Sequence, residues 1–252
     1  MEFVRFLRLG FPEVEFPSAE SSGSYAELQL GSVFVPACTL LQPNAGLHAY
    51  VPSMPEHQGK PADVPDQTAL MFWTTPEAHE EGFKVVAVRT YTNLHSLVYA
   101  HTSKSQFPVA FNREAKAEQP YYLIDQPADW MFGDIRHLVG ARKSDQSVED
   151  FLKGVGEWAT AYQSNPPHGV DGALLCAGND YLVLWEHWDS EETPSSEAFD
   201  ALAAMVTPFL KKQATSTTPP AGLWDPWAGF DLLKQDCINI QLDRPPVNGG
   251  GA

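Results

Sequence analysis

The stretch YLVLWEHWDSEETPSSEAFDAL, residues 181–202, decides the fold of this chain. Its first eight residues form an apolar run, which is typical of a buried β-strand. An acidic, hydroxyl-rich bend and an alanine-rich segment follow, and this order predicts a turn and then a helix. The strand carries Glu186 and His187, which are candidates for chemistry because ionisable side chains are costly to bury without a partner.

The residues before this stretch predict a strand, a helix and a further strand. Residues 130–141 have the composition of a strand. Residues 147–163 place their apolar side chains on one helical face, and Ser147 is a suitable N-terminal cap. Residues 170–178 predict the next strand, and Asn179 and Asp180 after it predict the turn of a hairpin.

The residues after the stretch complete a familiar order of elements. Apolar residues recur at helical spacing from Phe199 to Phe209, and CINIQLD, residues 237–243, alternates like a final strand. The order is then strand, helix, strand, strand, helix, strand. It closes most simply as a four-stranded sheet with both helices on one face, which is a ferredoxin-like unit.

The first half of the chain fits the same order. Thr75 and Pro76 predict the start of its second helix, with the threonine as cap and the proline in the first turn. The β-branched segment 84–92 is compatible with a strand instead. The other predicted elements are a strand at 2–11, a helix at 30–41 that contains Pro36, and hairpin strands at 45–51 and 68–73.

The predicted fold class is therefore α+β, with two ferredoxin-like units that form an α/β barrel within one chain. The N-terminal half spans residues 1–112, and the C-terminal half spans residues 130–245. Residues 113–129 are predicted to be a linker between them, and residues 246–252 a disordered tail.

Composition narrows the classes of function. The 252 residues carry 32 acidic and 16 basic side chains, a net charge of −16, which repels nucleic acid and anionic lipid. The N-terminus carries charges and lacks a signal-peptide cleavage site. Three scattered cysteines argue against a disulfide framework. We therefore expect a cytoplasmic protein that binds neither nucleic acid nor membrane.

The segments LVLWEHWDSEE and SEAFDALAAMVTPFL, at 182–192 and 196–210, resemble the dimeric α/β-barrel superfamily. This superfamily includes antibiotic-biosynthesis monooxygenases, stress-responsive barrel proteins and polyketide cyclases. Its members usually pair two units from two chains, whereas this chain contains both, so the protein is expected to be a monomer or a homodimer. Several members carry a histidine in the second helix; His79 stands at a comparable place in the first half, where we favour a solvated residue.

The resemblance also implies which side chains line a cavity. In the resembling families the third strand turns its terminal aromatic residue inward, which implies that Leu184, Glu186 and Trp188 point into the barrel and that His187 faces the helices. A carboxylate between Leu184 and Trp188 would be partly desolvated, and its raised pKa would suit general acid or base work. The alternative is that Glu186 simply pairs with Arg136 across neighbouring strands.

Other candidates follow from strand alternation. His48 and Tyr50 share a face and are candidates to point inward. Asp134 and Arg136 share one face of their strand and His137 lies on the other, and the sequence leaves open which face is the inner one. The predicted catalytic residues are Glu186, His48, His137 and Asp134, and the predicted substrate-binding residues are Trp73, Trp188, Tyr50, Leu184 and Arg136, with Trp73 and Trp188 as walls of one pocket.

The absence of nucleotide-binding, zinc-protease, C-x-x-C and serine-hydrolase motifs favours chemistry without a cofactor or metal. Haem held by one histidine is the exception that the resemblance leaves open. We expect a cofactor-independent cyclase, isomerase or lyase that acts by general acid/base chemistry on a small hydrophobic natural-product intermediate. The alternatives are a cofactor-free monooxygenase of the same fold and a non-catalytic small-molecule-binding or stress-responsive barrel.

Overall fold

The computed structural model describes residues 4–12, 32–33, 36, 47–53, 55, 59–100, 103–111, 114–125, 133–189 and 191–215. Over these residues the protein is α+β, as predicted. The strands are β1 Val4–Gly10, β2 Leu47–Ser53, β3 Gln67–Trp73, β4 Lys104–Gln106, β5 Val109–Ala110, β6 Pro120–Asp125, β7 Asp134–Arg142, β8 Gly172–Ala177, β9 Tyr181–Trp188 and β10 Val206–Thr215. The helices are α1 Pro76–Gly82, α2 Val86–His95, α3 Val148–Ser164 and α4 Glu197–Ala203.

The first sheet has the strand order β2-β3-β1-β4, and its neighbouring strands are antiparallel. This is the order of a ferredoxin-like unit, in which the first and third strands are central. Thr75 caps α1 by accepting a hydrogen bond from the amide of Ala78, as its position predicts. Residues 86–92 of the segment 84–92 belong to α2, so its alternative interpretation as a strand is wrong. The helix predicted at 30–41 lies largely outside the described residues.

The second sheet has the order β10-β7-β9-β8-β6-β5, and its first four strands repeat the ferredoxin-like order. Ser147 caps α3 by accepting from the amide of Asp150, also as predicted. Strand β6 lies within the segment predicted to be a linker; it pairs with β8 and extends the sheet. The segment between the two halves therefore contributes to the second sheet.

The last described strand differs from the prediction. Val206 and Phe209 lie in β10, not in the preceding helix, which ends at Ala203. Pro208 explains the difference, because proline lacks an amide hydrogen and is excluded from helix interiors but tolerated at sheet edges and bulges. The register of β10 against β7 shifts just after Pro208. The strand predicted at 237–243 lies outside the described residues.

The two sheets pack face to face and share one hydrophobic core, which is the arrangement expected of the predicted barrel. Leu7 and Phe72 from the first sheet pack in the same cluster as Val139, Val183 and Trp185 from the second. We call the sheet surfaces that meet in this core the inner faces. Each fully buried side chain of this size contributes about 1.5–3 kcal/mol.

A second core lies on the other side of the second sheet, between its outer face and the helices. Phe151 and Val155 of α3 pack there with Leu202 of α4 and with Leu184 of β9. We call the helix-facing surface of each sheet its outer face. Side chains alternate along a strand, and the first five residues of β9 accordingly belong to the two cores in turn: Tyr181, Val183 and Trp185 to the first, Leu182 and Leu184 to the second.

Candidate functional site

Glu186 lies on the outer face of the second sheet. The hydroxyl of Tyr162 on α3 donates a hydrogen bond to Oε1 of Glu186 at 2.6 Å, and Nε of Arg136 lies 2.9 Å from Oε2. Burial raises the pKa of the Glu186 carboxyl, and the neighbouring guanidinium opposes this rise. The expectation that Leu184, Glu186 and Trp188 line a cavity between the sheets is therefore wrong: all three are buried beneath the helices.

The ion pair of Arg136 and Glu186 joins several elements. The guanidinium donates to the carbonyl oxygens of Pro194 at 3.3 Å and Ser195 at 3.2 Å. It also lies over the ring of Trp188, 5.0 Å from the ring centroid. These contacts, with the hydrogen bond from Tyr162, connect β7 and β9 to α3 and to the residues just before α4. The pairing of Glu186 with Arg136 across neighbouring strands, which the sequence left as an alternative, is therefore present. Asp134, on the same face of β7, is partly exposed.

His137 lies on the inner face and connects the two sheets. Its Nδ1 is 2.7 Å from the carbonyl oxygen of Leu184, and its Nε2 is 2.8 Å from the hydroxyl of Thr68 in the first sheet. Because a carbonyl only accepts, Nδ1 carries the proton and the Thr68 hydroxyl donates to Nε2. The ring stacks on Trp185 at 3.6 Å, and burial lowers the pKa of His137 to about 3. Both ring nitrogens are occupied by structural hydrogen bonds.

His187 also faces inward, which reverses its predicted orientation. Its Nδ1 lies 2.6 Å from Oδ1 of Asp171, and the imidazole is fully buried. Gly133 passes close to it: a Cβ there would lie 2.8 Å from Nε2 of His187 and 2.2 Å from the carbonyl oxygen of Trp188. The φ of Gly133 is also positive, at +91°, so both the contact and the backbone require glycine.

Trp73 and Tyr50 lie on the outer face of the first sheet. Tyr50 pairs in register with Met71, which is two residues before Trp73 on the same face of β3. Its hydroxyl accepts a hydrogen bond from Nε2 of Gln67 at 2.8 Å. Trp73 and Trp188 are therefore on the outer faces of different sheets, and the prediction that they wall one pocket is wrong. His48 is in β2 next to a register shift, and its side chain lies outside the described residues.

The feature of the outer face that the sequence missed is a cluster of aromatic rings around His79. His79 on α1 is half-buried, so the expectation that it is a solvated residue is wrong. Its ring centroid lies 4.1 Å from that of Phe6 in β1 and 5.0 Å from that of Trp73 in β3. Phe83, one helical turn further along the chain, and Phe107, after β4, complete the set at 4.9 and 5.3 Å. We call these five residues the His79 cluster.

The electrostatics of the His79 cluster keep its imidazole neutral. Burial, and secondly the positive charge of Arg8, lower the pKa of His79 to about 4. Its Nδ1 is buried without a hydrogen-bond partner among the described residues, and the same is true of Nε1 of Trp73. A buried polar atom without a partner calls for an explanation, and a role in catalysis is one of those known. At neutral pH the cluster therefore offers an unprotonated imidazole in an apolar setting.

Arg8 borders the cluster on the same face of β1 as Phe6. Its Nε lies 2.8 Å from Nε2 of His95 on α2, and its second terminal nitrogen lies 2.9 Å from Nδ1 of the same ring. Its first terminal nitrogen donates to the hydroxyl of Ser105 at 2.9 Å. Burial and the charge of Arg8 lower the pKa of His95 to about 2, so this second histidine is also neutral.

A local signal for part of this cluster was present in the sequence. His79 and Phe83 are four residues apart, and residues with this spacing lie on one face of a helix. Phe6 and Arg8 are likewise two residues apart on one strand. The signal is incomplete, because nothing local indicates that Phe107 and Trp73 pack against the same imidazole.

Two kinds of feature are absent from the described residues. No group of three or more His, Cys, Asp or Glu side chains within them is arranged to hold a metal ion. No helix within them combines the length and the apolar character needed to cross a membrane.

Comparisons with known proteins give only a distant similarity. The sequence matches no protein-family model and no curated protein. The structure is similar to that of a putative monooxygenase from Lactobacillus acidophilus NCFM, with 10% identity over 85% of this chain and 96% of that chain and a TM-score of 0.33. It is also similar to a putative monooxygenase from Fusobacterium nucleatum subsp. nucleatum ATCC 25586, with 12% identity over 85% and 92% of the chains and a TM-score of 0.36. At these TM-scores the two proteins do not indicate the activity of this chain.

Proposed function

We propose that the protein is an enzyme that binds a small, planar, apolar molecule against the His79 cluster and moves a proton on it without a cofactor. The observation that carries this proposal is the half-buried His79, which is neutral, contacts four aromatic rings and leaves Nδ1 without a partner among the described residues. Apolar walls with a few polar groups are typical of small-molecule sites. The reaction class that fits is that of a cyclase, isomerase or lyase.

The proposed step is general base catalysis. In the proposed step the neutral imidazole carries its proton on Nδ1, and the lone pair of Nε2 faces the substrate. Nε2 takes a proton from a carbon acid, and the electron pair of the broken C–H bond stays on the substrate as an enolate. Return of the proton from the imidazolium to another atom completes an isomerisation. Attack of the enolate carbon on a carbonyl of the same molecule, followed by protonation of the alkoxide, completes a cyclisation.

A probe ketone tests this proposal directly. 2-Tetralone is planar, apolar and carries acidic C–H bonds next to its carbonyl, so we expect the protein to catalyse exchange of these protons in D2O, measured by NMR. The His79→Gln variant should lose about a hundredfold of the exchange rate, the lower end of the effect of a general base. His168→Gln is the matched control, because His168 is exposed and outside the cluster.

The catalysed exchange should depend on pH through the low pKa of His79. Because the pKa of His79 is about 4, its base form persists as the pH falls from 8 to 5, and the catalysed exchange should fall only near pH 4. Binding of 2-tetralone without exchange would make the protein a binding protein and not an enzyme. An exchange rate unaffected by His79→Gln would remove His79 from the mechanism. Oxygen uptake that depends on the probe would instead identify a monooxygenase that passes through the same enolate.

A further inference from the structure

Arg8 has an unusual environment for a cation in this chain. Acidic residues outnumber basic ones by 32 to 16, and two other arginines that are at least partly buried pair with carboxylates: Arg136 with Glu186 and Arg142 with Asp180. The hydrogen-bond partners of Arg8 are the imidazole of His95 and the hydroxyl of Ser105, which are both neutral. Among the described residues, Arg8 has no carboxylate within ion-pair distance.

The neighbours of Arg8 hold it in place without balancing its charge. A neutral imidazole accepts at only one of its two ring nitrogens, so only one of the two close approaches to His95 is a hydrogen bond. The low pKa of His95, about 2, keeps that ring uncharged beside the guanidinium. Arg8 is half-buried, and a partly desolvated charge without a counter-ion is unfavourable. The site therefore favours a negative charge brought by a ligand.

The position of Arg8 connects it to the His79 cluster. Arg8 follows Phe6 by two residues on the outer face of β1, and it pairs in register with Ser105 of β4, which precedes Phe107 by two residues. The guanidinium thus stands beside two rings of the cluster, and its charge acts on His79 strongly enough to contribute to the low pKa of that residue.

We infer that Arg8 is the anion subsite of the His79 cluster, and that the ligands of this site are planar apolar acids. The aromatic part of such a molecule packs on the rings of the cluster, and its carboxylate, phenolate or enolate oxygen contacts the guanidinium. This inference rests on the proposed function for the location of the apolar part. It also supplies what proton removal by His79 needs, because a fixed positive charge stabilises the anion that forms.

The test compares two probes of the same shape and different charge. 2-Naphthoate carries a carboxylate, and 2-naphthamide is its neutral counterpart. Binding of each to the full chain is measured by isothermal titration calorimetry, and the Arg8→Gln, Arg8→Lys and Arg89→Gln variants are measured in parallel. Arg89 is an exposed arginine of α2, so its variant controls for a general loss of one positive charge.

We expect wild-type protein to prefer 2-naphthoate. Arg8→Gln should weaken 2-naphthoate at least about tenfold, which corresponds to about 1.4 kcal/mol, and change 2-naphthamide less than about twofold. Arg8→Lys should keep part of the preference, and Arg89→Gln should keep all of it. If Arg8→Gln does not fold, the salt dependence of the wild type serves instead: 2-naphthoate should weaken with added salt and 2-naphthamide should not.

The two proposals fail in distinguishable ways. Equal affinity of the wild type for both probes, or equal loss of both in Arg8→Gln, overturns the anion subsite and leaves the His79 cluster as an apolar site. If neither probe binds the wild type, both proposals are overturned. Strong, Arg8-dependent binding of 2-naphthoate by a protein that does not exchange the protons of 2-tetralone keeps the anion subsite and removes His79 as a base.

Discussion

Glu186 and His187 are consecutive residues of β9, yet they occupy opposite sides of the second sheet. The carboxylate is held by Arg136 and by the hydroxyl of Tyr162 beneath the helices. The imidazole lies on the inner face with Asp171. Neither resembles the half-buried His79, whose Nδ1 has no hydrogen-bond partner in the described part of the chain. At the scale of single residues, the candidate for chemistry is thus the histidine whose bonding is incomplete.

Replacement of Glu186 by glutamine should affect stability. The glutamine still accepts from the Tyr162 hydroxyl, but it leaves the buried Arg136 charge without a counter-ion. Removal of one partner of a buried ion pair costs about 3–5 kcal/mol, which urea denaturation measures. Glu157→Gln on the exposed face of α3 is the control, and its effect should stay within about 0.5 kcal/mol. A loss for Glu186→Gln as small as that of the control would contradict a structural role.

At the scale of elements, close packing of β7 and β10 depends on Gly140. A Cβ at this position would lie 2.4 Å from Cγ2 of Val206 and 3.2 Å from the carbonyl oxygen of Thr207. In register, Gly140 pairs with Pro208, where β10 begins its bulge. Because Gly140 of β7 has no side chain, the irregular edge strand β10 fits against β7.

Gly140→Ala should destabilise the protein by about 1–3 kcal/mol through overpacking. Combining it with Val206→Ala removes the closest contact, at Cγ2, and leaves that with Cβ of residue 206 at 2.8 Å, so the double variant should be more stable than the sum of the two single effects predicts. Gly156→Ala in α3 is the matched control. Its Cβ would meet only ordinary contacts at 3.6 Å or more, and alanine favours the helix, so this change should stabilise by about 0.5–1 kcal/mol. Melting curves of Gly140→Ala, Val206→Ala, the double variant and Gly156→Ala show which changes lower the melting temperature and which raise it.

At the scale of the whole molecule, buried neutral histidines make the free energy of unfolding depend on pH. Burial lowers the pKa of His137 in β7 to about 3, and it also lowers the pKa values of His79 on α1 and His95 on α2. As the pH falls below about 6.5, the unfolded chain takes up protons that the folded protein does not. The free energy of unfolding therefore falls with decreasing pH from about 6.5 down to the folded-state pKa values.

His137 alone should contribute a slope of about 1.4 kcal/mol per pH unit in this window. Urea denaturation between pH 7 and pH 5, above the range in which most carboxylates titrate, should show a shallower slope for His137→Gln than for the wild type. His168→Gln, at an exposed position, should keep the wild-type slope. An unchanged slope in His137→Gln would show that the imidazole takes up its proton in the folded protein as readily as in the unfolded chain, which would contradict the lowered pKa.

Local patterns in the sequence were sufficient to predict most of the described elements. The eight-residue apolar run of β9, the cap at Ser147 and the cap at Thr75 are all present, because they depend on residues within one turn or one strand. The pairing of β6 with β8 and the early start of β10 were not predicted. The pairing of β6 with β8 depends on contacts between segments far apart in the chain. The start of β10 depends on Pro208, which ends the helical pattern and is tolerated only because β10 lies at the edge of the sheet.

The sequence by itself determined that Leu184, Glu186 and Trp188 share one face of β9, since alternation is a property of any strand. Only the tertiary structure decided which face this is. Both faces of β9 are buried, so hydrophobicity does not distinguish them, and the choice follows from the partners that α3 and β7 supply to the carboxylate. The same holds for His79: its place on a helix is local, whereas its four rings come from β1, β3, α1 and the residue after β4, which meet only when the first sheet forms.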